Sequence, residues 1–170
     1  MIYNTKKKRV AERRVTELIE NYKSNEVTDL SAVSENNESK TVVLKNSIVT
    51  ISIEKEKEIL DKLKILEKKL YYLKPDFTQQ YAASKIKTNT SYLSIIVNKN
   101  YNKTFSEYLN ELRINYVIKE MISNSVYRKY STQAIAESAG FKNAVSFTKS
   151  FNKRTGVTPV QFIKGFEKNE

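Results

Sequence analysis

An internal repeat in the C-terminal half of the chain is the feature that most limits how it can fold. A shift of 54 residues, without gaps, places Thr78 on Thr132 and Asn89 on Asn143. The other pairs at this spacing are Gln79 with Gln133, Tyr81 with Ile135, Ala82 with Ala136, Leu93 with Phe147, Val97 with Phe151, Asn102 with Gly156, Thr104 with Thr158, Tyr108 with Phe162 and Leu109 with Ile163. Because the identical residues coincide with apolar and helix-capping positions, we interpret the two stretches as copies of one supersecondary unit.

The second copy has the pattern of a helix, a tight turn and another helix. Its first helix is predicted from about Ser131 to Ala139, and it ends at Gly140, which adopts the left-handed conformation readily. Asn143 is a suitable N-cap for the next helix, which Gly156 terminates.

In the first copy, the corresponding stops and caps are Ile86, Asn89, Asn102 and Thr104. Asn102 tolerates the left-handed conformation better than most residues. Ile86 is β-branched and does not tolerate it, which leaves the conformation of the first turn open.

The second helix of each copy has two different faces when its residues are placed at intervals of about 100°. One face is apolar and is assigned to the core, with Leu93 and Val97 in the first copy and Phe147 and Phe151 in the second. The opposite face is short, mostly polar and free of acid: Ser91, Ser94, Ile95 and Asn98 in the first copy, and Val145, Thr148, Lys149 and Asn152 in the second. One alternative is that this is the ordinary solvated face of a helix. The same acid-free face occurs in both copies, however, which favours entry into a major groove of DNA, where acidic side chains would repel the phosphates.

A long helix is predicted between the two copies, from Thr104 to about Ser123. Much of its apolar face is supplied by Leu109, Leu112, Tyr116, Met121 and Ile122. Twenty helical residues span about 30 Å, and one turn of B-DNA advances by about 34 Å. Such a connector would set two reading helices in successive major grooves. After the second copy, Thr158 as N-cap and Pro159 in the first helical position predict a terminal helix.

The region ahead of the repeat has a different composition. Residues 1–51 are interpreted as a flexible basic N-terminal segment and a polar linker, with Thr41–Leu44 as a short candidate strand. The basic start is either a solvated helix or frayed tail, or an arm that contacts phosphate or lipid. Residues 52–74 predict an amphipathic helix with Ser52 as its N-cap. Its apolar residues recur at three- and four-residue spacing: Ile59, Leu60, Leu63, Leu66, Leu70 and Leu73.

These patterns predict an all-α chain with two helix-turn-helix subdomains joined by a long central helix. The amphipathic helix and the flexible basic segment precede them. The subdomains occupy residues 75–170, with the first helix-turn-helix at about 77–99, the linking helix at about 104–123, the second helix-turn-helix at about 131–154 and the terminal helix at about 159–166.

Charge and composition narrow the classes of function. Thirty Lys and Arg against nineteen Asp and Glu give a net charge of +11, which favours polyanionic partners. The chain has no Cys and no His, so thiolate chemistry, the usual zinc ligands and the commonest general base are excluded. The acids are scattered. We therefore expect no enzyme activity, metal or cofactor. With no signal peptide and no apolar run of about 18 residues, we also expect a soluble intracellular protein.

The second copy of the repeat resembles a known protein family. The stretch Ile135 to Phe162, IAESAGFKNAVSFTKSFNKRTGVTPVQF, is similar to the C-terminal signature of the AraC/XylS family of bacterial transcription regulators. The matching elements are Ile135-Ala136, Gly140-Phe141, Ser146-Phe147, Phe151 and Thr155-Gly156-x-Thr158-Pro159-x-x-Phe162. The first copy, from Thr88 to Ile114, is also similar, so the resemblance covers about half the chain.

The resemblance implies an all-α domain that binds double-stranded promoter DNA and contacts RNA polymerase. By position, the family's base-reading residues fall on Ser91, Ser94, Ile95, Ala144, Val145, Thr148 and Lys149. Several are small or apolar here, which favours shape and methyl contacts over arginine–guanine contacts. With the caps and flanking positions, the complete predicted DNA-binding set is Asn89, Thr90, Ser91, Ser94, Ile95, Asn98, Asn143, Ala144, Val145, Thr148, Lys149 and Asn152.

Two wider questions stay open at the level of sequence. The alternative to a sequence-specific regulator is a basic helical protein that binds nucleic acid or a membrane surface without specificity. The helix ahead of the first copy also resembles a subset of Bacteroidetes-type regulators with a tetratricopeptide sensor, one membrane helix and a cytoplasmic AraC-type domain. That architecture would imply a cytoplasmic chain tethered to the inner membrane and paired as a homodimer through upstream sequence. We expect no small-molecule ligand in this chain.

Overall fold

The structure, a computed structural model, describes residues 2–25 and 51–168, and every regular element in these residues is helical. The prediction of an all-α fold is confirmed for this part of the chain. The predicted polar linker and the candidate strand Thr41–Leu44 lie outside the described residues. The helices are α1 (Ile2–Asn25), α2 (Ile53–Lys68), α3 (Gln79–Lys85), α4 (Thr90–Tyr101), α5 (Phe105–Ser123), α6 (Ser125–Arg128), α7 (Thr132–Ser138), α8 (Ala144–Thr155) and α9 (Pro159–Phe166), with a 3-10 turn at Tyr71–Leu73.

The chain divides into two compact units, each with its own hydrophobic core. The α4 unit is Glu35–Leu112, and its described helices are α2, α3, α4 and the start of α5. The α8 unit combines Met1–Ser34 with Arg113–Glu170 and holds α1, the rest of α5, and α6 to α9. Each unit thus contains one helix-turn-helix, and α5 is the predicted linking helix.

The amphipathic helix α2 begins where the sequence predicts and ends earlier. The Ser52 hydroxyl accepts the backbone N–H of Lys55 at 3.3 Å, as expected of an N-cap. The helix stops at Lys68 instead of near residue 74, because Leu70 takes a left-handed conformation with φ of 55° and the 3-10 turn follows. Leu70 is therefore 46% exposed and does not continue the apolar stripe. The residues of α2 that are buried in the core are Ile59, Leu63 and Leu66.

The prediction of a flexible basic N-terminal segment is wrong for residues 2–25, which form α1 and pack on α9. Val15 and Ile19 are buried in the core of the α8 unit. Val15 can approach α9 closely because α9 has a glycine at the contact. A Cβ placed on Gly165 would lie 3.1 Å from the Cβ of Val15. An ion pair of 2.6 Å between Lys168 and Glu12 lies at the same contact. The weak apolar stripe of α1 is thus a core face.

A short helix that the sequence analysis missed closes the C-terminal end of α5. Asn124 caps α6 by accepting the backbone N–H of Tyr127 at 3.1 Å. The guanidinium of Arg128 then donates to the carbonyl oxygen of Met121 at 2.9 Å and lies 4.6 Å from the ring centroid of Phe166. Carbonyl groups in the last turn of a helix lack partners within the helix, so this buried arginine satisfies one that would otherwise be left without a hydrogen bond.

The two copies of the repeat differ by one residue in the turn, which corrects the gapless alignment. Helices α4 and α8 correspond at the predicted spacing of 54, but α3 and α7 correspond at 53, with Thr78 and Ser131 as their caps. The left-handed residue of the first turn is Lys87, with φ of 59°, and its equivalent is Gly140, with φ of 78°. Ile86, with φ of −93°, is not the equivalent of Gly140. The β-branched residue therefore avoids the strained conformation.

The packing of α1 on α9 leads to a stability prediction. Val15 is fully buried, so Val15→Ala removes two methyl-sized groups from the core, and we expect it to lower the free energy of unfolding by about 2 kcal/mol. Val10→Ala is the matched control on the same helix, because Val10 is 57% exposed and its loss should change stability by less than about 0.5 kcal/mol. Urea denaturation followed by circular dichroism measures both. Equal effects would contradict the packing of α1 in the core.

Candidate nucleic-acid interface

A side-chain cap and a glycine mark the start and the end of helix α8. The Asn143 side chain accepts the backbone N–H of Ser146 at 2.8 Å, and Gly156, with φ of 76°, ends the helix. Both features agree with the sequence prediction. Phe147 and Phe151 have no exposed surface, so the predicted core face of α8 is also confirmed.

The face of α8 opposite the two phenylalanines is open to solvent. Val145 is 78% exposed. Asn143, Lys149 and Asn152 are exposed, while Ala144 and Thr148 are partly buried. Every predicted site residue on α8 therefore reaches the surface.

Helix α4 has the same construction with smaller side chains. Asn89 accepts the backbone N–H of Tyr92 at 2.8 Å, and Asn102 ends the helix in the left-handed conformation, with φ of 54°. Leu93 and Val97 have no exposed surface, as predicted. Ile96 is also buried, which the sequence analysis did not assign.

Fewer of the predicted site residues are exposed on α4 than on α8. Ser91, Asn98 and the cap residue Asn89 are exposed, whereas Thr90, Ser94 and Ile95 are partly buried. A polar recess of about 380 Å³ lies beside the start of the helix and is lined by Gln79, Gln80, Thr90, Ser91 and Ser94. The two glutamines come from α3, so the surface of this helix-turn-helix includes residues that the sequence analysis did not assign to the site.

A glutamine on the first helix of each copy binds the first residue of the second helix. Gln79 donates through Nε2 to the carbonyl oxygen of Thr90 at 2.8 Å. Gln133 accepts the backbone N–H of Ala144 through Oε1 at 3.0 Å. The gapless alignment of the repeat pairs these two glutamines, but the pairing did not indicate that they bind the start of the second helix. These contacts hold the start of α4 and of α8 against the preceding helix.

The two helices carry different amounts of charge. Neither contains an acidic residue. Helix α8 has three cations, Lys149, Lys153 and Arg154, whereas the single cation of α4, Lys99, binds Glu56 at 2.7 Å. Counted over the charged residues of the two helices themselves, α8 is more positive than α4.

Arg113 does not belong to this surface. It is buried, and its guanidinium lies 5.5 Å from the ring centroid of Phe141. Burial lowers the pKa of Arg113 to about 10, so the side chain remains charged at neutral pH. Its burial beside the Phe141 ring indicates a structural role.

Two further features bear on function. In residues 2–25 and 51–168, no group of three or more acidic side chains is placed to hold a metal ion. Nor is any helix in this part of the chain long and apolar enough to cross a membrane.

Comparison with known proteins finds one matching family model and several similar structures. Residues 82–165 match a family model described as a helix-turn-helix domain. No curated protein sequence matches the chain significantly. A similar structure is the DNA-binding domain of AdpA, described as a global transcriptional factor in complex with a target DNA, with 12% identity over 66% of this chain and 96% of that chain and a TM-score of 0.57.

Two bacterial proteins are similar over a comparable length. The C-terminal domain of the two-component response regulator yesN from Fusobacterium nucleatum has 24% identity, covers 61% of this chain and 96% of its own, and gives a TM-score of 0.54. A transcriptional regulator from Chromobacterium violaceum, described as containing an AraC-type DNA-binding domain, has 14% identity, covers 70% and 100%, and also gives 0.54. At these identities the likeness establishes the fold.

Proposed function

We propose that this chain, in which residues 82–165 match a helix-turn-helix family model, is an AraC-type DNA-binding transcription regulator without catalytic activity. The main support for this proposal is the shared construction of helices α4 and α8. Each buries its apolar face, begins at an asparagine cap and exposes a short face free of acid. Similarity to a domain described in complex with its target DNA supports the same function.

The mechanism that we propose is insertion of α4 and α8 into successive major grooves of promoter DNA. Side chains on the two outward faces would read base edges, and surrounding cations would contact phosphates. Helix α5, the predicted connector, has 19 residues and is thus about 28 Å long. The proposed site is bipartite, with one patch of DNA for each reading helix.

The composition of the two faces indicates how sequence would be read. Ser91 and Ser94 on α4 offer short hydroxyls, while Val145 on α8 offers methyl groups and Lys149 a charged donor. Methyl groups suit the 5-methyl of thymine, and a lysine suits the N7 and O6 acceptors of guanine. We infer that most of the base discrimination comes from α8.

Further parts of the proposal concern partners and place in the cell. We propose that the chain contacts RNA polymerase, acts in the bacterial cytoplasm and needs no metal or cofactor. Homodimerisation and tethering to the inner membrane would come from upstream sequence, as in the regulators that the chain resembles.

Footprinting on a duplex selected from a random library tests the function. We expect two short protected patches on one face of the DNA, centred about 10 base pairs apart, because two reading helices would enter successive grooves. Preference over random duplex should reach about a thousandfold. A continuous patch, or no protection at moderate salt, would instead support non-specific binding through charge.

Lys149→Ala tests direct base readout by α8. We expect binding to the preferred site to weaken by about 1–3 kcal/mol, with relaxed preference at one base pair of one patch. Lys119→Ala, which removes an exposed lysine of α5, is the matched control. Filter binding at several salt concentrations separates the alternatives: a uniform loss on all sequences, with a salt slope reduced by about one, would assign Lys149 to phosphate.

The proposed contact between Val145 and a thymine methyl group can be tested by changing either the residue or the base. Replacing the contacted thymine with deoxyuridine removes one methyl group, and we expect a loss of about 0.8 kcal/mol in binding by the parent protein. The same DNA change should have little effect on the Val145→Ala variant, because the two changes remove one contact. The control is Val160→Ala, on α9, where Val160 is 49% exposed. Additive losses at every thymine would exclude a methyl contact by Val145.

A further inference from the structure

Four lysines surround a cavity in the α4 unit, at the C-terminal ends of α2 and α3. The cavity has a volume of about 300 Å³ and is open to solvent. Lys62 and Lys69 come from the side of α2, and Lys85 and Lys87 from the side of α3. Between them the wall is apolar and includes Ile65 and Tyr71.

The positive charge of this cavity is poorly balanced. No acidic residue lines it. Lys62 binds Glu58, but within the described residues Lys69, Lys85 and Lys87 make no ion pair. Lys85 lies 5.7 Å from the centroid of the Tyr71 ring, so a cation and an aromatic face meet at the same place. Ile65, at 50% exposure, adds an exposed apolar side chain among the cations.

The backbone beside the cavity is strained at two points. Among the described residues, the non-glycine positions with positive φ are Leu70, Lys87 and Asn102. Asparagine tolerates this conformation, whereas leucine and lysine do so at a cost of about 1–3 kcal/mol. Lys87 lines the cavity, and Leu70 lies between two residues that line it. Strain of this kind concentrates at functional sites.

Stabilisation of helix ends explains only part of the lysine cluster. A cation at the C-terminal end of a helix interacts favourably with its dipole. This accounts for Lys85, in the last turn of α3, for Lys69, the C-cap of α2, and in part for Lys87, two residues beyond α3. Lys62 lies in the middle of α2, so it does not have this role. In the second helix-turn-helix, Ser138 and Gly140 occupy the positions of Lys85 and Lys87. The fold therefore does not require either lysine.

We propose that this cavity binds a small organic anion with an apolar or aromatic body and at least two negative charges, such as a phosphate monoester. The body would lie on Ile65 and Tyr71, and the charged group would lie among the lysines. The volume is at the lower end of the range of small-ligand sites, about 300–1,000 Å³. The proposal revises our expectation from the sequence that the chain has no small-molecule ligand.

The cavity is separate from the surface that we assign to DNA within the same unit. The polar recess at the start of α4 and the lysine cavity share no lining residue. Helix α3 contributes Gln79 and Gln80 to the first and Lys85 to the second. A phosphate of the DNA backbone is nevertheless the competing explanation for four lysines, so the experiment includes it.

Calorimetric titration of the full chain with phenyl phosphate tests the proposal. Inorganic phosphate and benzyl alcohol supply the charge and the apolar body separately, and we expect each to bind at least about tenfold more weakly than phenyl phosphate. Lys85→Gln combined with Lys87→Gln should weaken phenyl phosphate binding by about tenfold or more. Lys57→Gln with Lys64→Gln, on the exposed side of α2, is the matched control and should change it less than about twofold. Equal affinity for phenyl phosphate and inorganic phosphate, or equal effects of the two variants, would overturn the proposal.

Lys87→Gly separates a ligand contact from a structural role. Glycine adopts the left-handed conformation without strain, so this variant should melt at the same temperature as the parent or higher. If Lys87 contacts the ligand, phenyl phosphate binding should still fall severalfold. Retained binding would overturn the assignment of Lys87.

A DNA-binding assay of the double lysine variant covers the competing explanation. We expect its affinity for the selected duplex and its salt slope to match those of the control variant. A salt slope reduced by about two would show that the lysines bind DNA phosphates, and the cavity would then not be a separate site.

Discussion

The packing of Phe151 between Phe147 and Phe162 decides what α8 can present to solvent. The ring centroid of Phe151 lies 5.7 Å from each of the other two, and all three side chains are fully buried. Since a helix at the edge of a core buries one stripe, the residues on the opposite stripe become exposed together. Turning α8 to present other residues would withdraw an aromatic ring from the core. The exposure of Val145 and Lys149 is thus a consequence of the aromatic core.

Short-range polar contacts fix the start of each reading helix, which the apolar core alone would not do. The caps Asn89 and Asn143 set the first helical residue, and Gln79 and Gln133 hold that residue to the preceding helix. Bases are read through contacts of a few ångströms, so the helix start must be as well defined as its rotation. The two copies reach the same result although their turns differ by one residue.

The positive charge of the chain is divided between surfaces of different chemistry. On α8, cations stand beside polar and small apolar side chains, which suits the edges of base pairs. In the lysine cavity, cations stand beside an aromatic ring and an exposed isoleucine, which suits an amphiphilic anion. The net charge of +11 indicates polyanionic partners in general and does not distinguish these surfaces.

What the sequence determined by itself is local. Helix periods and caps act within a few residues, so the bounds of α8 and α9, the buried phenylalanines and both outward faces could be predicted from it. The tertiary structure alone decided the rest. Helix α1 has a weak stripe that becomes a core face only because Gly165, far along the chain, leaves room for Val15. Helix α2 stops before Leu70 although no proline or glycine ends it there, and a lysine takes the left-handed position that glycine holds in the second copy. For α1 the deciding contact joins residues that are distant in sequence, and a pattern read along one chain does not contain it. The left-handed conformations of Leu70 and Lys87 go against the preferences of those residue types, so residue type alone does not predict them.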